Sequence, residues 1–569
     1  MRHLFIPIIS ALIVLISSCG SDDEPQLNAV GGKLYGGEFK FMSSEKVNNL
    51  FPLATSDIYT ARFNSQIYEQ LLKLDIETMK VVPALAESYS ISADAKTFTF
   101  KIRKGVKFQD DECFGGEDRE LTAEDVKYTL DMACSGLKGN KMSYLLVNRI
   151  KGAKDYYKKS KQSLPKTGVS GIRVLDAATV EITLTQAFPG FDKILTHTNL
   201  GIYPREAYEM YGAEMSKHPV GTGPFMLESM DDKGVTLKRN PNYWRKDEFG
   251  NQLPFLSKVI MTYVKDKKSE LLAFRNKEVD IVLEIPVDDV ENVLGSLQDA
   301  QAGKNVKHKV ESKSSMSMNY IAFACESAEF KNPDVRKAFN LAINRSEIVD
   351  KYLLGEGWPA ENGFVPLMDN FPNDKVKGHK QNVAQAQALM AAAGYAQGNG
   401  FPAIDFYVNA IEGSAPHKMC VGVAAQIKQN LNVDLNIILC SISEREKAIA
   451  SGKAKIWRSG WIADYPDAEN FLSLFHSGNI KENSSEVNAF KFRNAAFDAL
   501  FEKAIMEKDE SKRNDLFVQC DQMIIDEAAV MPVMTDDFMI MVNARVRDFK
   551  TNSMENLDFS TMYIKEPRN

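Results

Sequence analysis

Residues 457–471 read WRSGWIADYPDAENF, which sets the carboxylate of Asp464 between Trp461 and Tyr465 with Arg458 upstream. A carboxylate screened by aromatic faces suits a ligand ammonium. Charge attracts the cation, and each ring adds about 0.5–2 kcal/mol through cation–π contact. A bland reading stands beside this one: Gly460, Pro466 and Asp467 are turn formers, Asp467 can cap a helix beginning at Ala468, and Asp464 then serves as a structural loop acid. Motifs for other chemistry are missing. The chain has no Gly-x-Ser-x-Gly elbow, no His-Glu-x-x-His and no Walker phosphate loop, and its cysteines show no CxxC spacing. His197, His218, His308, His379, His417 and His476 are scattered, and the acids of residues 110–119 lack the spacing of a calcium loop. No metal, no cofactor and no catalytic residue is expected.

The elements that must position this segment alternate between strand and helix. Phe98, Phe100 and Ile102 alternate with polar residues, and Gly105 separates them from Val106 and Phe108 as in a hairpin; Val180, Ile182 and Leu184 repeat the pattern. Thr122 can cap a helix carrying Val126, Leu130 and Ala133 on one face. Asn332 and Pro333 open a second helix with Val335, Ala338, Phe339, Ala342 and Ile343 on its apolar stripe; Ser346 restarts it and Gly355 ends it. The apolar run around Met419 to Ile427, followed by alternating Val433, Leu435, Ile437 and Leu439, predicts a helix-then-strand unit. Mixed α/β architecture follows.

The first residues speak of export. Arg2 precedes an apolar run over 4–16 that is too short for a mature membrane helix and ends at Ser17, Ser18 and Cys19. Residues 20–26, with Asp22, Asp23 and Glu24, form a solvated tether. No later segment approaches the roughly 18 apolar residues of a membrane span. With 569 residues and 44% hydrophobic content, the chain can bury a large core and exceeds the length at which single cores split, so at least two lobes are expected. A formal charge of −7, from 69 basic and 76 acidic residues, argues against a nucleic-acid partner. Cys113, Cys134, Cys325, Cys420, Cys440 and Cys520 are read mostly as buried free thiols, with Cys113 and Cys134 the nearest pair for a disulfide.

Six blocks carry a resemblance: IYEQLL at 67–72; PALAESY at 83–89 leading into AKTFTFKIRKGVKF at 95–108 and LTAEDV at 121–126; GTGPF at 221–225; RNPNYW at 239–244; DVRKAF at 334–339; and GWIADY at 460–465. In this order they resemble the solute-binding proteins of peptide-type ABC importers, the family of oligopeptide, dipeptide and nickel receptors, over nearly the whole length beyond the export segment. The Ser-Ser-Cys ending resembles a bacterial lipobox, which makes Cys19 the lipidated residue.

The resemblance implies a two-lobe hinged α/β fold of the periplasmic-binding-protein type with an extra inserted subdomain. Its expected parts are a signal peptide at 1–18, a lipidated tether at 19–33, a first lobe from 34–72 with 196–308 and 542–569, the inserted subdomain at 73–195 and a second lobe at 309–541. Hinge crossings are expected near 309–318 and 533–541. IYEQLL matches the family's opening helix, with Ser56, Ile58 and Tyr59 in the cleft-facing loop before it. Asp464 falls on the aspartate that pairs with a peptide's amino terminus, Trp461 on a neighbouring aromatic, Tyr465 beside them, and Arg458 on an arginine that reaches a ligand carboxylate; Met541 is a further candidate. Two departures matter. Ile449 and Ala450 stand where oligopeptide receptors carry an Arg-His pair, and the loop 414–417 lacks the arginine of dipeptide receptors, leaving His417 as the candidate there.

The expected function is therefore that of a monomeric receptor, lipid-anchored in a bacterial envelope, at the periplasmic face or, alternatively, exposed at the cell surface. It captures a small-molecule or peptide ligand between its lobes and passes it to an ABC permease and its ATPase. The same fold for a metal chelate, haem or an oligosaccharide is the alternative, with an envelope hydrolase or an adhesion protein behind it.

Overall fold

Along Glu38–Ser43, half-exposed and buried side chains alternate, with Phe39 and Phe41 turned into the core as the two-residue repeat of a one-sided strand requires. This strand closes a four-stranded sheet in the order Phe225–Met230, Gly234–Arg239, Lys258–Tyr263, Glu38–Ser43. The chain is seen here in a computed structural model that describes residues 26–55, 57–283, 308–368, 371–481 and 487–565; residues 1–18, Cys19 and Ser56 lie outside them, as do the side chains of 308–312.

A second four-stranded sheet is wholly local, in the order Ala86–Ile91, Thr97–Ile102, Thr179–Thr183, Ile172–Asp176, all antiparallel. Here the expected hairpin after Gly105 does not form. Thr97–Ile102 already has a neighbour on each edge, and Val106 and Phe108 instead bury themselves in the core, with a single bridge from Lys107 to Glu120. The helix Ala123–Ala133 begins as the sequence predicts: Thr122 N–H and Oγ–H both donate to Asp125 Oδ2, at 2.8 and 2.9 Å, in a reciprocal cap.

The largest sheet has six strands in the order Trp358–Pro359, Val530–Thr535, Ser317–Phe323, Ile456–Ile462, Ile404–Asn409, Leu435–Cys440. Ser317–Phe323 is buried at every position, as a central strand covered on both faces must be. Ile456–Ile462 runs antiparallel to it and parallel to Ile404–Asn409. The helices Pro333–Ala342, Val383–Ala392 and Ala415–Leu431 cover one face through Val335, Phe339, Met390, Val423 and Ile427. After Pro333–Ala342 the helix restarts at Arg345 with Asn344 as its cap, one residue ahead of Ser346, because the Asn344 side chain accepts from Glu347 N–H at 3.0 Å.

Between these sheets lies a three-stranded one, in the order Ile281–Leu283, Asp537–Asn543, His308–Ser314. The chain steps from it into the six-stranded sheet at 315–316 and returns at Asp536. Ser315 N–H donates to Asp536 O at 2.9 Å, and Asp536 N–H to Ser317 Oγ at 3.1 Å, so the two crossings are tied side by side. All six cysteines among the described residues are free thiols, and no described helix is long and apolar enough to cross a membrane.

Candidate functional site

Ile456–Ile462 ends one residue before the Ala463-Asp464 step, and a short loop turns into the helix Ala468–Leu472. Asp467 caps that helix as expected, accepting from Glu469 N–H at 3.0 Å. Three acids thus lie close together, and their partners differ in kind. Asp467 receives both terminal nitrogens of Arg513, at 2.7 and 2.9 Å, and Lys193 Nζ at 2.8 Å. Glu469, fully buried, pairs with Arg149 Nη2 at 2.6 Å and accepts the Tyr465 hydroxyl. Asp464 receives neither lysine nor arginine: Tyr144 O–H at 2.6 Å and Asn470 Nδ2–H at 3.0 Å donate to Oδ2, with His197 Nε2 at 3.4 Å from Oδ1.

His197 is fixed beside Asp464: its Nδ1 accepts the Asn199 backbone N–H at 3.0 Å, and its Nε2 faces the carboxylate. Burial would raise the Asp464 carboxyl, but the hydrogen bond and charge of His197, together with the Tyr144 and Asn470 donors, outweigh it and hold the group below its ordinary value. The carboxylate, its side chain 20% exposed, has no lysine or arginine partner among the described residues. By contrast, Arg513 and Lys193 drive the Asp467 carboxyl far below the carboxylate range against the same desolvation.

Asn470 is the clasp of the site. Its Oδ1 accepts both Trp461 Nε1–H, at 2.8 Å, and the Asp464 backbone N–H, at 3.0 Å, which fixes the indole beside the carboxylate. Arg458, half-buried, donates through Nη2 to Asn319 Oδ1; its Nε is buried with no acceptor.

The other candidates lie elsewhere. Tyr465 is 1% exposed and committed to Glu469, so it supports the loop and does not face a ligand. Ile58 and Tyr59 are not loop residues: they form the first turn of the helix Ile58–Ile67, capped by Asp57, and IYEQLL follows that helix instead of making it. Tyr59 lines a separate, shallow solvent-open hollow with Phe41, Arg62, Phe63 and Lys267. His417 sits in the first turn of Ala415–Leu431, its Nδ1 accepting Gly413 N–H at 2.9 Å. Met541 is wholly buried in a small cluster with Leu271, Phe274 and Val282, where apolar packing and not ligand contact accounts for it.

Tyr144, His197 and Asn470 escaped the sequence reading. Tyr144 and His197 carry no local signal, since they meet Asp464 only through the fold; Asn470 was within reach, as the only amide in the segment 460–472.

Set against known proteins, residues 80–483 match the description "Bacterial extracellular solute-binding proteins, family 5 Middle". The chain is 27% identical over 496 residues to heme-binding protein A of Haemophilus influenzae, covering 85% of this chain and 84% of that one. It is 28% identical over 498 residues to the glutathione-binding protein GsiB of Salmonella typhimurium, covering 86% of each. The solved structure of the periplasmic binding protein DppA of Helicobacter pylori in complex with the peptide STSA superposes with a TM-score of 0.77 at 23% identity, covering 94% of this chain and 99% of that one, which establishes the shared two-lobe α/β fold.

Proposed function

This chain belongs to family 5 of the bacterial extracellular solute-binding proteins, and on that premise we propose that it captures a peptide-like solute between its lobes and hands it to an ABC import permease and its ATPase. One observation carries the ligand class: Asp464 is an enclosed carboxylate held by Tyr144, Asn470 and His197, next to two acids that each have a lysine or arginine. Enclosing an ion costs several kcal/mol unless charge and hydrogen bonds offset it. A ligand ammonium lying on Asp464 beside the Trp461 indole adds to that offset, so binding and enclosure favour one another.

The lobe boundaries expected at 309 and 541 move to the crossings: the first lobe is assigned as 34–72 with 196–314 and 537–569 and the second as 317–535, with 73–195 as the inserted subdomain, because His308–Ser314 and Asp537–Asn543 share one sheet with Ile281–Leu283. The paired crossings at 315–316 and Asp536 serve as the hinge, since two short tied connections let rigid sheets rotate about them. Tyr144 and Arg149 from the subdomain, and His197 beside it, then reach the second lobe at Asp464 and Glu469 only when the cleft is shut. The receptor is tethered through a lipidated Cys19 at the periplasmic face and acts by binding, without turnover. The named relatives bind haem, glutathione and peptides; the carboxylate at 464 favours the amino-bearing members of that set.

The test is Asp464→Asn. Calorimetry with amino-terminated di- and tripeptides is expected to show at least a tenfold loss of affinity with the melting temperature maintained. Equal affinity in variant and parent removes the assignment. Labelling with radioactive palmitate, abolished by Cys19→Ala, checks the anchor.

A further inference from the structure

Arg445 is a second cation at the same end of the six-stranded sheet. It projects from the helix Ile442–Ala450, and its Nη1 donates to Asn409 Oδ1 and, at 3.1 Å, to the backbone oxygen of Arg458. Like Arg458, it is half-buried, and like Arg458 it has a buried Nε with no acceptor. Neither arginine pairs with a carboxylate among the described residues. The register places both at one level. Asn319, which receives Arg458, lies opposite Gly460, and Asn409, which receives Arg445, follows two residues after the Tyr407–Trp457 pair on the other side of the same strand. This is the carboxyl end of the parallel strands, where open α/β sheets place their ligands, and Asp464 follows directly from it.

The nearby acids do not neutralise the two. Asp536 reaches Arg458 through an intervening amide, Asn319 Nδ2, at 2.7 Å, and Glu446 is exposed with no bond to Arg445. Burial and then the charge of Arg458 pull the Arg445 guanidinium below its ordinary value, as expected of two cations sharing a site with no anion. Gly460 keeps the approach open: a Cβ there would stand 3.2 Å from Arg458 Nη2 and 3.4 Å from Asn319 Oδ1.

We infer that Arg445 and Arg458 form a two-guanidinium carboxylate site, and that the solute carries one ammonium and two carboxylates. The inference rests on the reading of Asp464 as the ammonium acceptor. An acid with no lysine or arginine partner and two arginines with no carboxylate partner are complemented by such a solute, with arginine forks suited to planar carboxylates. Arg445 is thereby a specificity-determining residue.

Ala-Glu and Ala-Gln differ by a single carboxylate, and with Ala-Ala-Glu and Ala-Ala-Gln they form the probe set for calorimetry on the ligand-stripped full chain. Ala-Glu or its tripeptide counterpart is expected to bind at least tenfold more tightly than the glutamine partner. Arg445→Gln should shrink that ratio below threefold while leaving the melting temperature of the free protein unchanged. Arg445→Lys, which keeps the charge without the fork, should give an intermediate ratio. If the peptides bind and lose affinity in Asp464→Asn, yet acid and amide bind alike, the receptor reading stands and the two-arginine site falls. If no peptide binds, both fall.

Discussion

The Tyr144 hydroxyl donates to Oδ2 of Asp464 at 2.6 Å, joining residues 320 positions apart in the chain. In the proposed lobe assignment this bond crosses the cleft, and it is short because its acceptor is charged. The carboxylate proposed to receive the ligand thus also fastens the closed form of that proposal, which links the predictions that follow.

Tyr144→Phe removes one of the donors on Asp464 and keeps the ring. A hydrogen bond to a charged group contributes about 1.5–3 kcal/mol, so the closed form should be less populated. Small-angle scattering is expected to give a larger radius of gyration for the ligand-free variant, and peptide affinity should fall about tenfold, the equivalent of about 1.4 kcal/mol. Parent-like scattering and affinity together would sink the latch.

Arg149→Met strands Glu469, whose side chain is fully enclosed. Removing one partner of a buried pair costs about 3–5 kcal/mol, to be read as a lowered denaturant midpoint. Adding Glu469→Gln should recover much of that loss, because the uncompensated charge disappears; a double variant no better than the single would show that packing, not charge, was at stake.

Asp467 sets the acid limb of stability. Its folded-state carboxyl lies well below the unfolded value because of Arg513 and Lys193, so the stabilisation is present above about pH 4 and drains away as pH falls towards the folded value. Melting temperatures between pH 2.5 and 6 should therefore climb steeply with pH in the parent and less steeply in Arg513→Met.

Asp521 works in the opposite sense. Burial pushes its carboxyl up to about 7, partly offset by backbone N–H groups of Phe364 and Val365. A raised folded value favours the native state below about pH 4 and loses that advantage as pH rises through 7. The denaturation midpoint should carry a downward component from pH 5 to 8, and Asp521→Asn should flatten it; a parallel profile would exclude this carboxyl as the source.

Local rules were readable wherever the deciding partner sits within a few residues. Thr122 with Asp125, Asn332 with Asp334 and Asp467 with Glu469 are caps whose donor and acceptor lie two or three positions apart. Position 464 stood out because an acid between aromatic residues is unusual at short range. The misreadings share a cause. Val106 and Phe108 looked like a hairpin arm, but Thr97–Ile102 had already found Ala86–Ile91 and Thr179–Thr183 as neighbours. Met541 and Tyr465 looked available and are enclosed, since burial is a property of what packs against a residue and not of the residue itself.

From sequence alone came the α/β class, the family resemblance and the acid at 464, all of which rest on short-range pattern and motif order. Only the tertiary structure decided that Asp464 lacks the lysine or arginine that Asp467 and Glu469 have, that His197 comes to lie against it, and that Arg445 joins Arg458 at one end of a sheet. Electrostatic balance is a sum over neighbours in space. Those neighbours come from segments up to hundreds of residues away, and folding is what brings their charges within reach of one another.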